Sequence, residues 1–145
     1  MLEFTIEVDI DKPRDQVVEL MHPDNLSQWV HGFVKMEHIS GGLWAKGSKY
    51  EWYFKVGEKD HTSTETIITR YLPESFSCTF EDRYALQITE NWLDVLPGNQ
   101  TRWISQQSFL GANWWMSAVI KFMPKIFKSQ VERHMTRFKE FAETH

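Results

Sequence analysis

The groups in this sequence that could do chemistry are few and scattered. There are six histidines, His22, His31, His38, His61, His134 and His145, and one cysteine, Cys78. No two histidines have the spacing of a zinc-binding helix, and no tight Cys/His cluster occurs, so no metal is expected. Cys78 lies between Phe76 and Phe80 on one strand face with nothing nearby in sequence to lower its pKa. It reads as a small buried hydrophobe rather than a nucleophile. No nucleophile elbow, phosphate-cradling glycine loop or dinucleotide fingerprint is present, so no organic cofactor is expected either.

The remaining candidates are polar residues set among large apolar ones. Glu90 shares its alternation with Leu86, Ile88 and Trp92, and Gln107 shares its own with Trp103 and Phe109. A carboxylate on an apolar face needs a partner or a raised pKa, which would suit acid–base work or ligand orientation. A solvated strand end is the plainer reading, because Glu is rarely buried. Arg70 and Arg102 are the candidate partners. Aromatic residues make up 14% of the chain, with seven Trp and ten Phe. Trp52, Phe54, Phe76, Phe80, Trp92 and Trp103 would either wall a binding cavity or fill an ordinary core.

These residues are positioned by a legible series of elements. Residues 2–10 alternate strictly, with Leu2, Phe4, Ile6, Val8 and Ile10 on one face, as in a half-buried strand. Asp11 and Pro13 then start a short helix carrying Val17, Val18, Leu20 and Met21. A second short helix holds Leu26, Trp29 and Val30 and ends at Gly32. Strands are expected over 33–40, 48–57, 61–72, 75–82, 84–96 and 101–110, joined by short turns at Gly41-Gly42, Glu58-Lys59-Asp60, Pro73-Glu74 and Pro97-Gly98-Asn99. After Trp114 the period becomes helical. Val119, Ile120, Met123, Phe127, Val131, His134, Met135, Phe138, Phe141 and Ala142 mark a stripe about eight turns long. Pro124 should kink or break that helix near 122–125, leaving 112–123 as a semi-independent flap. Between Trp114 and Lys128 nearly every residue is apolar, with Lys121, Lys125 and Lys128 on one side. A cavity lid is one reading of this stretch, and a buried helix with a solvated lysine face is preferred to a basic membrane-facing surface.

The local sequence adds a family resemblance. Ile10-Asp11-Lys12-Pro13 is followed by Val17-Val18, then by Asp24-Asn25-Leu26 with Trp29. Further on come Tyr71-Leu72-Pro73, and Thr101-Arg102 after the Pro97-Gly98-Asn99 turn. In this order and spacing the chain resembles the START/birch-pollen-allergen superfamily (SRPBCC; polyketide cyclase/dehydrase and lipid transport-like) along essentially its whole length. The resemblance implies an α+β helix-grip fold: a seven-stranded curved antiparallel sheet around a long C-terminal helix, with two short helices after strand 1. It also implies a deep, largely apolar cavity for a lipid, hormone or polyketide, with catalysis in a minority of members. The expected function is binding or carriage of a small hydrophobic molecule. Trp29, Trp52, Phe54, Phe76, Phe80, Trp92, Trp103, Val119, Met123 and Phe127 would supply contact area, and His31, Glu90 or Gln107 would orient the ligand. A polyketide cyclase/dehydratase-like enzyme is the alternative. A homodimer or protein-interaction module using an exposed patch around Trp114 and Trp115 is the third reading.

Composition bounds these readings. At 145 residues, the chain suits one domain over 1–145 with a real core. Its net charge of −4 argues against a generally basic nucleic-acid binder. No apolar stretch approaches the ~20 residues of a membrane span, so stable membrane insertion is not expected. The acidic first ten residues do not resemble a signal peptide, and a lone cysteine fits a reducing, cytoplasmic setting. The charge is uneven: residues 1–100 hold 9 Lys+Arg against 17 Asp+Glu, whereas 101–145 hold 7 against 3.

Overall fold

The computed structural model describes all residues from 1 to 145. Strand β1 (Leu2–Ile10) leads into two short helices, α1 (Arg14–Leu20) and α2 (Leu26–Trp29), separated by a 3-10 turn at Pro23–Asn25. Six strands follow: β2 (Phe33–Ser40), β3 (Lys49–Val56), β4 (Lys59–Tyr71), β5 (Ser75–Glu81), β6 (Ala85–Leu96) and β7 (Gln100–Gly111). The chain ends in α3 (Trp114–Phe122) and the long α4 (Pro124–Glu143). All seven strands form one antiparallel sheet in the order β1-β7-β6-β5-β4-β3-β2. The meander β2 to β7 follows from turns too short for crossovers, and β1 closes onto β7. One turn differs from its expected place. The chain reverses at Gly57-Glu58, and Lys59 and Asp60 already pair with Val56 and Lys55.

The register decides which side chains face the helices. Pairing of β1 with β7 sets Phe4 opposite Gln107 and Val8 opposite Trp103. The unbulged β6–β7 ladder then sets Gln107 opposite Thr89 and Trp103 opposite Leu93. The odd-numbered residues of β6 therefore point inward. Leu86, Ile88, Glu90 and Trp92 share one face as expected, but the inward placement of Trp92 and Glu90 is corrected: both lie exposed on the outer face, with Leu86 and Ile88 on that side. The apolar residues misled because the inward face of β6 is polar, with Gln87, Thr89 and Asn91 below Leu93.

The core lies at the β1/β7/β6 side of the sheet. Ile6, Ile10, Leu93 and Trp103 meet Val17 of α1 and the α4 residues Val131, Met135, Phe138 and Ala142. The helices make their close backbone approaches to β1, β2, β6 and β7. Within this core Trp29 packs on Phe138 and on His134, whose ring centroids lie 4.9 and 4.7 Å away. Trp103 closes on Phe138 from the sheet side at 5.5 Å. Desolvation among these rings, helped by the Arg137 charge, depresses the His134 pKa from 6.5 to about 4. The indole N–H of Trp29 is buried without a hydrogen-bond partner.

The long C-terminal helical stretch is broken where proline requires it. Helix α3 ends at Phe122, Met123 takes φ −130° and ψ 51°, and Pro124 occupies the first turn of α4. Proline suits that position because its missing N–H would be unpaired there anyway. The Asn113 side chain caps α3 by accepting the Met116 N–H at 2.9 Å.

Two measurements test this packing. His134 takes up its proton at about pH 4 in the folded chain and near 6.5 when unfolded. Between those values only the unfolded state gains the proton, so stability falls as pH drops from 7 towards 4, by at most about 3 kcal/mol. Urea titrations across that window should show a flatter profile for His134→Leu than for the native chain; parallel profiles would contradict the assignment. Gly32 has φ +72°, and a Cβ there would lie 2.5 Å from the Lys55 carbonyl oxygen. Gly32→Ala should therefore lose about 1–3 kcal/mol. Gly47→Ala, at φ +83° but with open space around it, should lose only the backbone share of about 1 kcal/mol.

Candidate functional site

The sheet is wider than the apolar stripe of α4, so part of its inner face is left without a helix to cover it. A cavity of about 310 Å³ opens there, lined by residues of β4 to β7, the β5–β6 loop, α3 and α4. Phe80, Phe109, Met116 and Phe127 form its apolar wall. His61, Ser63, Asp82 and Gln87 form the polar one, with Tyr84 and Gln130 at its edge. Phe109 and Phe127 lean together across the sheet–helix gap at 5.2 Å between centroids. Trp52 stands edge-on behind Phe80 at 5.3 Å and continues the aromatic lining into Phe33 and Phe54.

A hydrogen-bonded ladder of side chains crosses the inner face beneath the cavity. The Trp103 indole donates to Asn91 Oδ1 at 2.9 Å, and Asn91 donates to Thr89 Oγ1 at 2.9 Å. Gln107 Nε2 donates to Thr89 Oγ1 at 2.9 Å and to Ser105 Oγ at 2.6 Å. Gln87 completes the ladder by donating to Gln107 Oε1 at 2.6 Å. A buried polar row of this kind is tolerable because its members satisfy one another. Gln87 is the member that reaches the cavity wall, and its own carbonyl oxygen is not used in the ladder.

A second polar group sits at the cavity edge. His61 Nε2 lies 3.2 Å from Asp82 Oδ2, and both side chains are partly buried. The other Asp82 oxygen accepts the backbone N–H groups of Tyr84 at 2.7 Å and Ala85 at 2.9 Å. Two backbone hydrogen bonds therefore fix the carboxylate, and the carboxylate fixes the imidazole. The ring is held between Phe54, 6.3 Å away, and the stacked ring of Tyr84, 5.9 Å away. With Nε2 facing Asp82, the other ring nitrogen is left for a ligand or a proton. A histidine oriented by a carboxylate is an arrangement that can serve either ligand orientation or acid–base work.

Deeper on the same face, Glu65 is 7% exposed, and its Oε1 accepts the Trp52 indole N–H at 3.1 Å. Burial pushes its pKa up, opposed by the hydrogen bonds from Trp52 and Cys78. Burial and the Glu65 carboxylate push the Cys78 thiol well above its usual range, so the thiol is held protonated and unreactive. No group of three His, Cys, Asp or Glu side chains gathers in a way that could hold a metal ion.

The residues singled out from sequence are placed as follows. Phe80 and Phe127 stand on the cavity wall, and Gln107 is buried in the ladder one step behind Gln87. Trp52 and Phe54 face inward beside the cavity, while Phe76 packs against the main core and Trp29 and Trp103 belong to it. Val119 is partly buried on α3, and Met123 is half exposed at the helix break, away from the lining. His31 is exposed. Trp92 and Glu90 meet instead in a shallow groove on the outer face of the sheet, beside Thr69 and Ser77. His61, Asp82, Gln87 and Glu65 were not legible as a group. One signal was available: pairing β4 with β5 about the Pro73-Glu74 turn sets His61 level with the Asp82–Tyr84 segment.

No protein-family model matches the sequence, and no curated protein matches it. Solved structures do. The crystal structure of Ara h 8.0201 superposes with a TM-score of 0.81 over 99% of both chains, at 8% identity. The Zhui aromatase/cyclase from a Streptomyces species gives 0.76 over 98% of this chain and 93% of that one, at 12% identity. The protein TTHA0849 from Thermus thermophilus gives 0.73 over 97% of both, at 14% identity. At these identities the likeness is one of architecture: the chain has the helix-grip fold that these structures share, a seven-stranded antiparallel sheet with a long C-terminal helix.

Proposed function

We propose that this chain binds and carries a small, mainly apolar molecule bearing at least one hydrogen-bonding group. The observation that carries the reading is the cavity of about 310 Å³, apolar on the side of Phe80, Phe109, Met116 and Phe127 and polar on the side of His61 and Gln87. Its size is at the lower end of ligand pockets, roughly 300–1,000 Å³. A compact, ring-containing molecule suits it better than a long acyl chain. The aromatic wall supplies contact area, and the free Gln87 carbonyl and His61 ring supply orientation.

A second reading is favoured by one specific feature, the His61–Asp82 pair. In a cyclase-like enzyme this pair would take a proton from a folded, enolisable chain held against the aromatic wall. The similarity to an aromatase/cyclase structure is compatible with that chemistry but does not assign it.

The test is to mix the purified protein with polycyclic aromatics, sterols and fatty acids. Native mass spectrometry and tryptophan fluorescence then read the result. Carriage predicts one-to-one uptake of a compact member, recovered unchanged. Phe127→Ala should weaken uptake about tenfold or more through lost apolar burial. No uptake of any compound would count against both readings. A chemically altered product that disappears in His61→Ala would replace carriage by catalysis.

A further inference from the structure

The helical segment beside the cavity has an outer surface that the binding reading does not use. Trp114 is 80% exposed, Trp115 61% and Phe122 77%, so three of the largest apolar side chains in the protein face solvent. Phe122 follows Trp114 by eight residues and Trp115 by seven, so all three project from one side of α3. The opposite side carries Ile120, which is buried, and Met116, which lines the cavity. The sequence-based preference for a buried helix is therefore corrected. The break at Met123 extends the surface onto the first turn of α4, where Met123 and Ile126 are also exposed.

The charges that this segment itself carries are of one sign. Lys121, Lys125 and Lys128 are exposed beside it. No Asp or Glu occurs between Asp94 and Glu132. The rest of the protein carries the opposite excess, so the basic character is local to this end. Tryptophans beside lysines, with an apolar centre, form the pattern that settles at the headgroup level of a bilayer. There indole rings sit at the polar boundary and lysine stems reach out to phosphates.

We propose that α3 and the first turn of α4 form a peripheral docking surface for an anionic phospholipid bilayer. Trp114, Trp115 and Phe122 enter the interface, and the three lysines meet the lipid headgroups. A second copy of this chain fits the surface poorly: a two-fold contact through it would set Lys121, Lys125 and Lys128 against the same three lysines, and the segment brings no carboxylate of its own to pair them. No helix is long and apolar enough to cross a membrane, so the surface lies on the bilayer and does not span it. The geometry gives the docking a use. Met116 and Phe127, from the same two helices, line the cavity, so a docked molecule would hold the cavity edge close to the lipid boundary. The docking itself does not depend on what the cavity binds.

Co-sedimentation with vesicles tests it, using the full chain with an empty cavity. The protein should bind vesicles of phosphatidylcholine mixed with phosphatidylserine at least about tenfold more tightly than phosphatidylcholine alone, and added salt should weaken the difference. Its tryptophan emission should shift to the blue on binding. The double substitution Trp114→Ser, Trp115→Ser should abolish binding while leaving the melting temperature and the uptake of soluble ligands unchanged. The triple substitution of Lys121, Lys125 and Lys128 by Glu should remove the preference for phosphatidylserine without unfolding the chain. Equal binding to both vesicle types, or none to either, overturns the proposal. So does light scattering that shows a dimer dissolved by the tryptophan substitutions.

Discussion

One mismatch of widths governs this molecule. The apolar stripe of α4 is a single helix wide, and the sheet it must cover has seven strands. The long helix packs on β1, with α1 and α3 on β6 and β7, and there the side chains are those of an ordinary core: Ile10, Leu93, Trp103 and Phe138. Strands β3 to β5 lie farther from the helices. Their inner faces carry a smaller apolar cluster, Tyr50, Ile67 and Cys78 with Trp52 and Phe80 against it, and the cavity opens between the end of this cluster and helices α3 and α4.

The polar lining is arranged so that little is left unsatisfied. Trp103, Asn91, Thr89, Ser105, Gln107 and Gln87 pass hydrogen bonds along the inner face, and the row ends where Gln87 meets the cavity. Asp82 uses two backbone N–H groups to hold its place before it holds His61. Groups fixed in this way lose little freedom when they meet a ligand, which favours orientation over adaptability. Glu65 is the costlier member. Burial disfavours its charged form, and the Trp52 indole offsets that only in part while holding the carboxyl in place.

The break at Met123 links the cavity to the outer surface. An unbroken helix from 114 to 143 would have continued one stripe and turned a different set of residues outward. Pro124 prevents this, because it has no N–H to give to Ile120 and its ring crowds that carbonyl. Two shorter helices result, each docked on its own: α3 on β7, α4 on β1. Each contributes one residue to the cavity's apolar wall, Met116 or Phe127, and each turns apolar residues and lysines to solvent at the joint.

Local chemistry in the sequence determined the elements, their order and the architecture. Strict alternation over Leu2–Ile10, turn residues at Pro73-Glu74 and Pro97-Gly98-Asn99, and the helical stripe from Val119 to Ala142 each report a backbone period, which is a local property. The helix break followed equally directly from the covalent structure of Pro124. Tertiary structure alone decided which face of β6 looks inward. That parity is set by hydrogen bonds from β6 to β7 and from β7 to β1, and the apolar residues of β6 pointed the wrong way: Leu86, Ile88 and Trp92 went outward and Gln87, Thr89 and Asn91 inward. It also decided the site. His61 and Asp82 lie on different strands, and their meeting depends on the β4–β5 register, including the shift near Ile67. Alternation in a sequence reports that two faces differ; only pairing with neighbouring strands fixes which face is enclosed and which residues meet across it.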